Sequence, residues 1–83
     1  MLELRPNCEC CNKDLPPSSN EAVICTFECT FCKTCAKNIL NNKCPNCSGN
    51  LVARPIRPEN ELKNNPASTV RVLKKDGCIK IAQ

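Results

Sequence analysis

The chain has 83 residues, enough for one domain, and ten of them are cysteine, while Phe27 and Phe31 are its only aromatic residues. We expect both rings inside, but so short a chain with so little apolar bulk needs disulfides or metal ions to hold its core. Its net charge of +4 is weaker than the basic bias typical of nucleic-acid-binding proteins.

The first residues predict a cytoplasmic protein. Residues 1–7 contain no apolar signal-peptide core and no small-residue cleavage site, and no run of about 18 apolar residues predicts a transmembrane helix. In the reducing cytoplasm, thiols stay free to bind metal ions. We therefore expect a metalloprotein rather than a disulfide scaffold.

Two strands are predicted before the central cysteines. Leu2 and Leu4 alternate with charged residues, and residues 22–24 form an apolar run that leads into Cys25. Between them, residues 15–20 contain two prolines and three small polar residues, which predict a loop.

A short helix is predicted over residues 36–40. Asn41 and Asn42 can end it in the left-handed conformation. A helix of this length is not stable alone, so we expect it to depend on the preceding Cys32 and Cys35.

The cysteine content changes at residue 50. Residues 1–50 hold nine of the ten cysteines and balanced charges, whereas residues 51–83 carry seven basic and three acidic residues. We expect residues 1–50 to form a two-metal domain and residues 51–83 to form a basic extension packed on it.

Three elements are predicted in the extension. Residues 54–58 should be an extended, proline-rich linker. A helical turn should begin at Pro58 and stop before Pro66. Alternating apolar residues on both sides of Asp76-Gly77 predict a hairpin.

The cysteines occur in close pairs typical of metal ligands. Two intervening residues present both sulfurs to one ion at about 2.3 Å. One such pair could be a redox motif, but several in succession indicate metal. Zinc fits better than an iron–sulfur cluster, because Cys35 and Cys44 lie too far apart for ferredoxin spacing. The four steps with this spacing are Cys8–Cys11, Cys29–Cys32, Cys32–Cys35 and Cys44–Cys47, and Cys25 precedes Cys29 by four positions.

Eight cysteines suffice for two closed tetrahedral zinc sites. In the sequential pairing, one ion binds Cys8, Cys11, Cys25 and Cys29, and the other binds Cys32, Cys35, Cys44 and Cys47. In the crossed pairing, the first and third pairs share one ion and the second and fourth pairs share the other. Loop-closure entropy discriminates little between these pairings. Cys10 could be a spare thiol or could replace Cys8 or Cys11 as a ligand. Cys78 fits a small apolar strand residue.

The spacing Cys-x2-Cys-x13-Cys-x3-Cys-x2-Cys-x2-Cys-x8-Cys-x2-Cys resembles the RING-finger pattern, with Cys29 where that family usually has His. Residues 31–40 resemble its second knuckle and helix, and residues 44–47 its final knuckle. Residues 1–11 and 66–69 are also similar to a bacterial family of small Cys-rich proteins of unknown function. The RING resemblance implies a metal-stabilised α+β, treble-clef cross-brace with two zinc sites, the first formed by Cys8, Cys11, Cys32 and Cys35 and the second by Cys25, Cys29, Cys44 and Cys47.

The predicted function is non-catalytic. The chain has no histidine, and zinc ions with four thiolates leave no position for a reactive water. RING domains often dock ubiquitin-conjugating enzymes, but only Pro45 matches their usual contact residues, whereas Glu9 and Ser48 do not. We therefore expect no ligase activity.

An unidentified protein is the expected partner, with no membrane and no small-molecule substrate. Ile39 and Leu40 could face residues 15–17 across a groove, or these residues could form the core. One alternative function is nucleic-acid binding by the basic extension, with Phe27 and Phe31 as stacking platforms. Another is a redox sensor that uses Cys10. The basic candidates for nucleic-acid contact are Arg54, Arg57, Arg71, Lys74, Lys75 and Lys80.

Overall fold

Short strands and short helices form the regular structure in the computed structural model, which describes residues 2–73. Val70 and Val72, from the first predicted strand of the hairpin around Asp76-Gly77, are not in a strand. The remainder of that hairpin, together with Cys78, lies outside the described residues. Within residues 2–73 the elements are β1 (Ala22–Ile24), β2 (Thr30–Cys32), α1 (Lys33–Asn38), β3 (Val52–Ala53) and α2 (Glu59–Leu62).

The predicted apolar strand is the centre of an antiparallel sheet with the order β2-β1-β3. Val23 pairs with Phe31 on one side and with Ala53 on the other. Every residue of β1 and β2 is buried, whereas β3 is exposed. The strand prediction for residues 22–24 is thus confirmed, and the continuous apolar run fits a strand that is buried on both faces.

Helix α1 begins three residues earlier than predicted. The Cys32 sulfur caps it by accepting from the Cys35 backbone N–H at 3.4 Å, a role that ordinary capping preferences do not assign to cysteine. The helix ends after Asn38, and Asn41 and Asn42 adopt φ values of 54° and 60°. Asn41 and Asn42 are thus left-handed as predicted, but they lie beyond the C-cap residue Ile39, and the predicted helix bounds were wrong.

The apolar core is small and is built around cysteines. Phe31 and Leu40 are fully buried and Leu15 nearly so, and they cluster with the metal-ligand candidates. Leu15 and Leu40 therefore lie in the core as one of the two predictions had it, and Ile39 packs against it, whereas Pro16 is exposed. The prediction of an interior Phe27 was wrong, because its side chain is 72% exposed.

The extension contacts the N-terminal segment. Leu2 and Leu4 form no strand within residues 2–73, but Leu4 is buried, and its carbonyl accepts from the Ser68 N–H. Asn7 and Val72 exchange two hydrogen bonds, at 2.8 Å and 3.3 Å. Helix α2 begins directly after Pro58, one residue later than predicted.

The buried Arg54 joins β3 to the N-terminal loops. Its guanidinium donates to the carbonyls of Arg5, Leu15 and Pro16 at 2.9 to 3.2 Å, and only 4% of the residue is exposed. Burial lowers the pKa of Arg54. Arg54 is consequently unavailable for the nucleic-acid contact that its sequence position suggested.

Replacing Arg54 by lysine should destabilise the fold by about 1–3 kcal/mol. An ammonium group lacks the forked geometry that reaches three carbonyls, so a buried acceptor would lose its donor. Urea unfolding of the metal-loaded protein would measure the loss. The exposed Arg71→Lys is the matched control and should change stability by about 0.5 kcal/mol or less; an equal effect of both substitutions would contradict the role of Arg54.

Candidate metal centre

Four sulfurs meet in the first candidate site. Each Sγ of this group lies within 4.8 Å of the others, and the Cys11 and Cys32 sulfurs are 3.8 Å apart. Four ligands at about 2.3 Å from a tetrahedrally bound zinc would be about 3.8 Å from one another. The arrangement therefore fits a metal ion. The group comprises Cys8, Cys11, Cys32 and Cys35, the set that the RING resemblance implied.

Two separate structures present these sulfurs. Two backbone hydrogen bonds close the loop from Cys8 to Lys13. The Cys8 N–H donates to the Lys13 carbonyl, and the Asn12 N–H donates to the Cys8 carbonyl. Asn12 adopts a φ of 63°, which lets the chain turn back directly after Cys11. Cys32 ends β2 and Cys35 lies in the first turn of α1, so the end of the sheet and the start of the helix supply the other two sulfurs.

Three sulfurs meet in the second candidate site. Those of Cys25, Cys44 and Cys47 lie within 4.8 Å of one another. Cys29, the predicted fourth ligand, is not within that distance of all three, but its thiol interacts with the Cys25 thiol. Its Sγ also accepts from Asn46 Nδ2 at 3.4 Å. The structure thus brings Cys29 beside the second cluster without placing it inside.

Both clusters join cysteines that are distant in sequence. Cys25 meets the pair Cys44 and Cys47, although Cys32 and Cys35 intervene along the chain and belong to the first cluster. The groups therefore interleave. This grouping of sulfurs corresponds to the crossed pairing.

Backbone amides point at sulfurs in both clusters. Such N–H groups stabilise negative charge on sulfur in the way that charge-assisted hydrogen bonds stabilise other anions. Because the tight turns themselves supply these donors, the backbone is arranged to hold thiolates. The donor–acceptor pairs, at 3.3 to 3.4 Å, are Cys10 N to Cys8, Phe27 N to Cys25, Cys35 N to Cys32, Asn46 N to Cys44 and Gly49 N to Cys47.

Burial opposes thiolate formation in the absence of a cation. It raises the pKa of the Cys8, Cys35 and Cys44 thiols, that of Cys44 to about 12. For Cys11 and Cys25, burial also acts upward, but hydrogen bonds from neighbouring amides and thiols outweigh it, so their pKa is lowered. Several buried thiolates side by side therefore need a bound cation to neutralise them.

Cys10 lies beside the first site but is not one of its four clustered sulfurs. Its backbone N–H donates to the Cys8 sulfur, and its own sulfur is disulfide-bonded. The sequence had suggested a spare thiol or an alternative ligand at this position. In this state the Cys10 sulfur is neither a spare thiol nor a thiolate ligand.

Glu9 and Asn46 are site residues that sequence reasoning missed. Glu9 is 3% exposed and accepts from the Thr30 N–H at 3.0 Å. Its carboxylate also lies 3.5 Å from Asn46 Nδ2. Their only sequence signal is their position between the two cysteines of a pair. A buried Glu9 also cannot serve as the exposed contact that RING ligases use at this position.

These interleaved cysteine clusters, supported by a small sheet and a capped helix, define a small metal-stabilised α+β domain. The family described as "Protein of unknown function (DUF1272)" matches residues 1–57, and the chain belongs to that family. It is 65% identical over 78 residues to an uncharacterized protein of Rhizobium meliloti (strain 1021), covering 94% of this chain and 93% of that protein.

No solved structure matches the chain significantly. Within the part of the chain that the structure describes, no helix has the length and apolar character needed to cross a membrane.

Substituting Cys11 by serine should remove one metal ion per chain, whereas Cys10→Ser should retain the full complement. Cys11 Sγ belongs to the first cluster and Cys10 Sγ does not. Elemental analysis of purified variants, loaded with metal under reducing conditions, would measure the difference. Equal metal loss in both variants would contradict this assignment.

Proposed function

We propose that the protein is a non-catalytic module with two structural zinc ions that mediates interaction with another protein. Zinc is the metal that all-thiolate tetrahedral sites in small domains most often hold. Cys29 would complete the second site, since its sulfur already lies beside that of Cys25.

The interleaved arrangement of the sulfur clusters is the observation that carries the zinc proposal. A cluster of four protein thiolates leaves no open position at which zinc could activate water. Ions bound in this way would join loops that have little apolar core between them. We therefore assign the ions a structural role, in which their binding free energy contributes to folding.

Phe27 supports the interaction part of the proposal. Its side chain is 72% exposed, and its N–H is bonded to the Cys25 sulfur at 3.3 Å, so a metal ion would also fix this turn. An exposed aromatic ring on such a turn offers a large contact area with only two side-chain torsions to fix. Phe27 is the contact residue that we propose for a protein partner.

Nucleic-acid binding has less support from the described residues. The Arg57 guanidinium donates to the carbonyls of Leu2 and Asn65. That of Arg71 lies 2.8 Å from the Asp14 carboxylate and also donates to Asn12. With Arg54 buried, these three arginines already have intramolecular partners. Lys74, Lys75 and Lys80 lie outside the described residues.

The purified protein should contain two zinc ions per chain and should unfold when they are removed by a chelator. Elemental analysis would give the stoichiometry, and circular dichroism during chelation would follow unfolding. Returning zinc should restore the fold, whereas calcium should not, because thiolates are poor ligands for calcium. One ion per chain, a visible iron chromophore, or an unchanged fold after complete metal removal would contradict the proposal.

Phe27→Ser should reduce partner capture without changing metal content. Proteins cross-linked to the tagged chain in bacterial cells would be quantified for the wild type and the variant. Val52→Ser is the matched control, because Val52 is also an exposed apolar residue, at 52%, but lies on the edge strand β3. Equal recovery of the same proteins with wild type and Phe27→Ser would refute the assignment of Phe27.

A further inference from the structure

The Glu9 carboxylate lies at a junction of three cysteine-bearing loops. Glu9 stands between Cys8 and Cys11 of the first cluster, and its Oε2 accepts from the Thr30 N–H at 3.0 Å. Its own N–H donates to the Thr30 carbonyl at 3.0 Å. Since Thr30 directly follows Cys29 and leads into Cys32, this two-way pairing fixes the first loop against the segment that carries one cysteine of each predicted site.

The third loop approaches through Asn46. Its Nδ2 lies 3.5 Å from Glu9 Oε1 and 3.4 Å from Cys29 Sγ. Its backbone N–H donates to Cys44 Sγ at 3.4 Å. One asparagine thus connects Glu9 with two cysteines of the second predicted site.

Electrostatics alone would not favour a carboxylate at this junction. Each tetrathiolate zinc site carries a formal charge of −2, because four thiolates exceed the charge of the ion. Burying another anion nearby is unfavourable unless it is paired and hydrogen-bonded. Arg5 Nη1, at 2.8 Å from Glu9 Oε2, supplies the pairing. The position of Glu9 is therefore explained by its hydrogen bonds and its partner Arg5.

We propose that the Glu9 carboxylate couples the two metal sites, so that filling either site raises the metal affinity of the other. An ion in the first site fixes the Cys8–Cys11 loop and with it Glu9. Glu9 then holds Thr30 and Asn46, so less conformational freedom remains to be lost when the second ion binds. The coupling must be reciprocal. This inference rests on the proposed two-zinc function.

The test measures the affinity of the second site with and without an intact first site. Cobalt would be titrated into the metal-free full-length chain under reducing conditions, against a competing chelator, and followed by its thiolate charge-transfer absorption. Cys11→Ser impairs the first site, and we expect it to weaken cobalt binding at the second site about fivefold or more. In a Glu9→Gln background the same Cys11→Ser change should have a clearly smaller effect.

Glu21→Gln is the matched control. It removes the same charge, but from an exposed ion pair with Lys13. It should leave unchanged the ratio of second-site cobalt affinities measured without and with Cys11→Ser. If Glu9→Gln does not fold, Asn46→Ala breaks the same connection from the exposed side and should likewise reduce the ratio. If Glu9 had only a structural role, its substitution would lower the second-site cobalt affinity equally with and without Cys11→Ser, and the ratio of these two affinities would stay the same.

The outcomes distinguish this inference from the function on which it rests. A wild-type chain that binds two ions independently, or a ratio unaffected by Glu9→Gln and Asn46→Ala, would overturn the coupling and leave the two-zinc module intact. A chain that binds only one ion would overturn the module itself.

Discussion

The meeting of sulfurs from distant chain segments is the contact on which the rest of the structure depends. The Cys8–Cys11 loop joins the end of β2 and the start of α1, and Cys25 joins the Cys44–Cys47 loop. The core between them is small, with Phe31 and Leu40 as its main fully buried apolar side chains. The sheet, the capped helix and the buried Arg54 therefore surround the clusters rather than replace them.

The same arrangement changes how the charge of the protein should be read. The sequence carries +4, but two zinc ions with four thiolates each would contribute −4 and bring the total near zero. Within the described residues, several positive side chains also have internal partners: Arg5 pairs with Glu9, and Arg71 with Asp14. Under the proposed two-zinc function, the basic residues of the sequence would compensate the anionic metal sites.

Much of the site could be predicted from the sequence, because ligand spacing is set by local turn geometry. The strand at residues 22–24 and the left-handed Asn41 and Asn42 also follow from local chemistry. Three features could not be predicted. Cysteine propensities do not reveal that the Cys32 sulfur caps α1. The burial of Glu9 and the exposure of Phe27 depend on how the loops pack against one another, and sequence patterns do not specify that packing.

Cadmium substitution with an NMR-active isotope would identify which cysteines share an ion. Scalar coupling connects each cadmium nucleus with the β-protons of the cysteines whose sulfurs bind it. We expect one cadmium signal coupled to Cys8, Cys11, Cys32 and Cys35, and a second coupled to Cys25, Cys29, Cys44 and Cys47. Couplings that join the first four of these eight cysteines to one ion and the last four to the other would contradict this expectation.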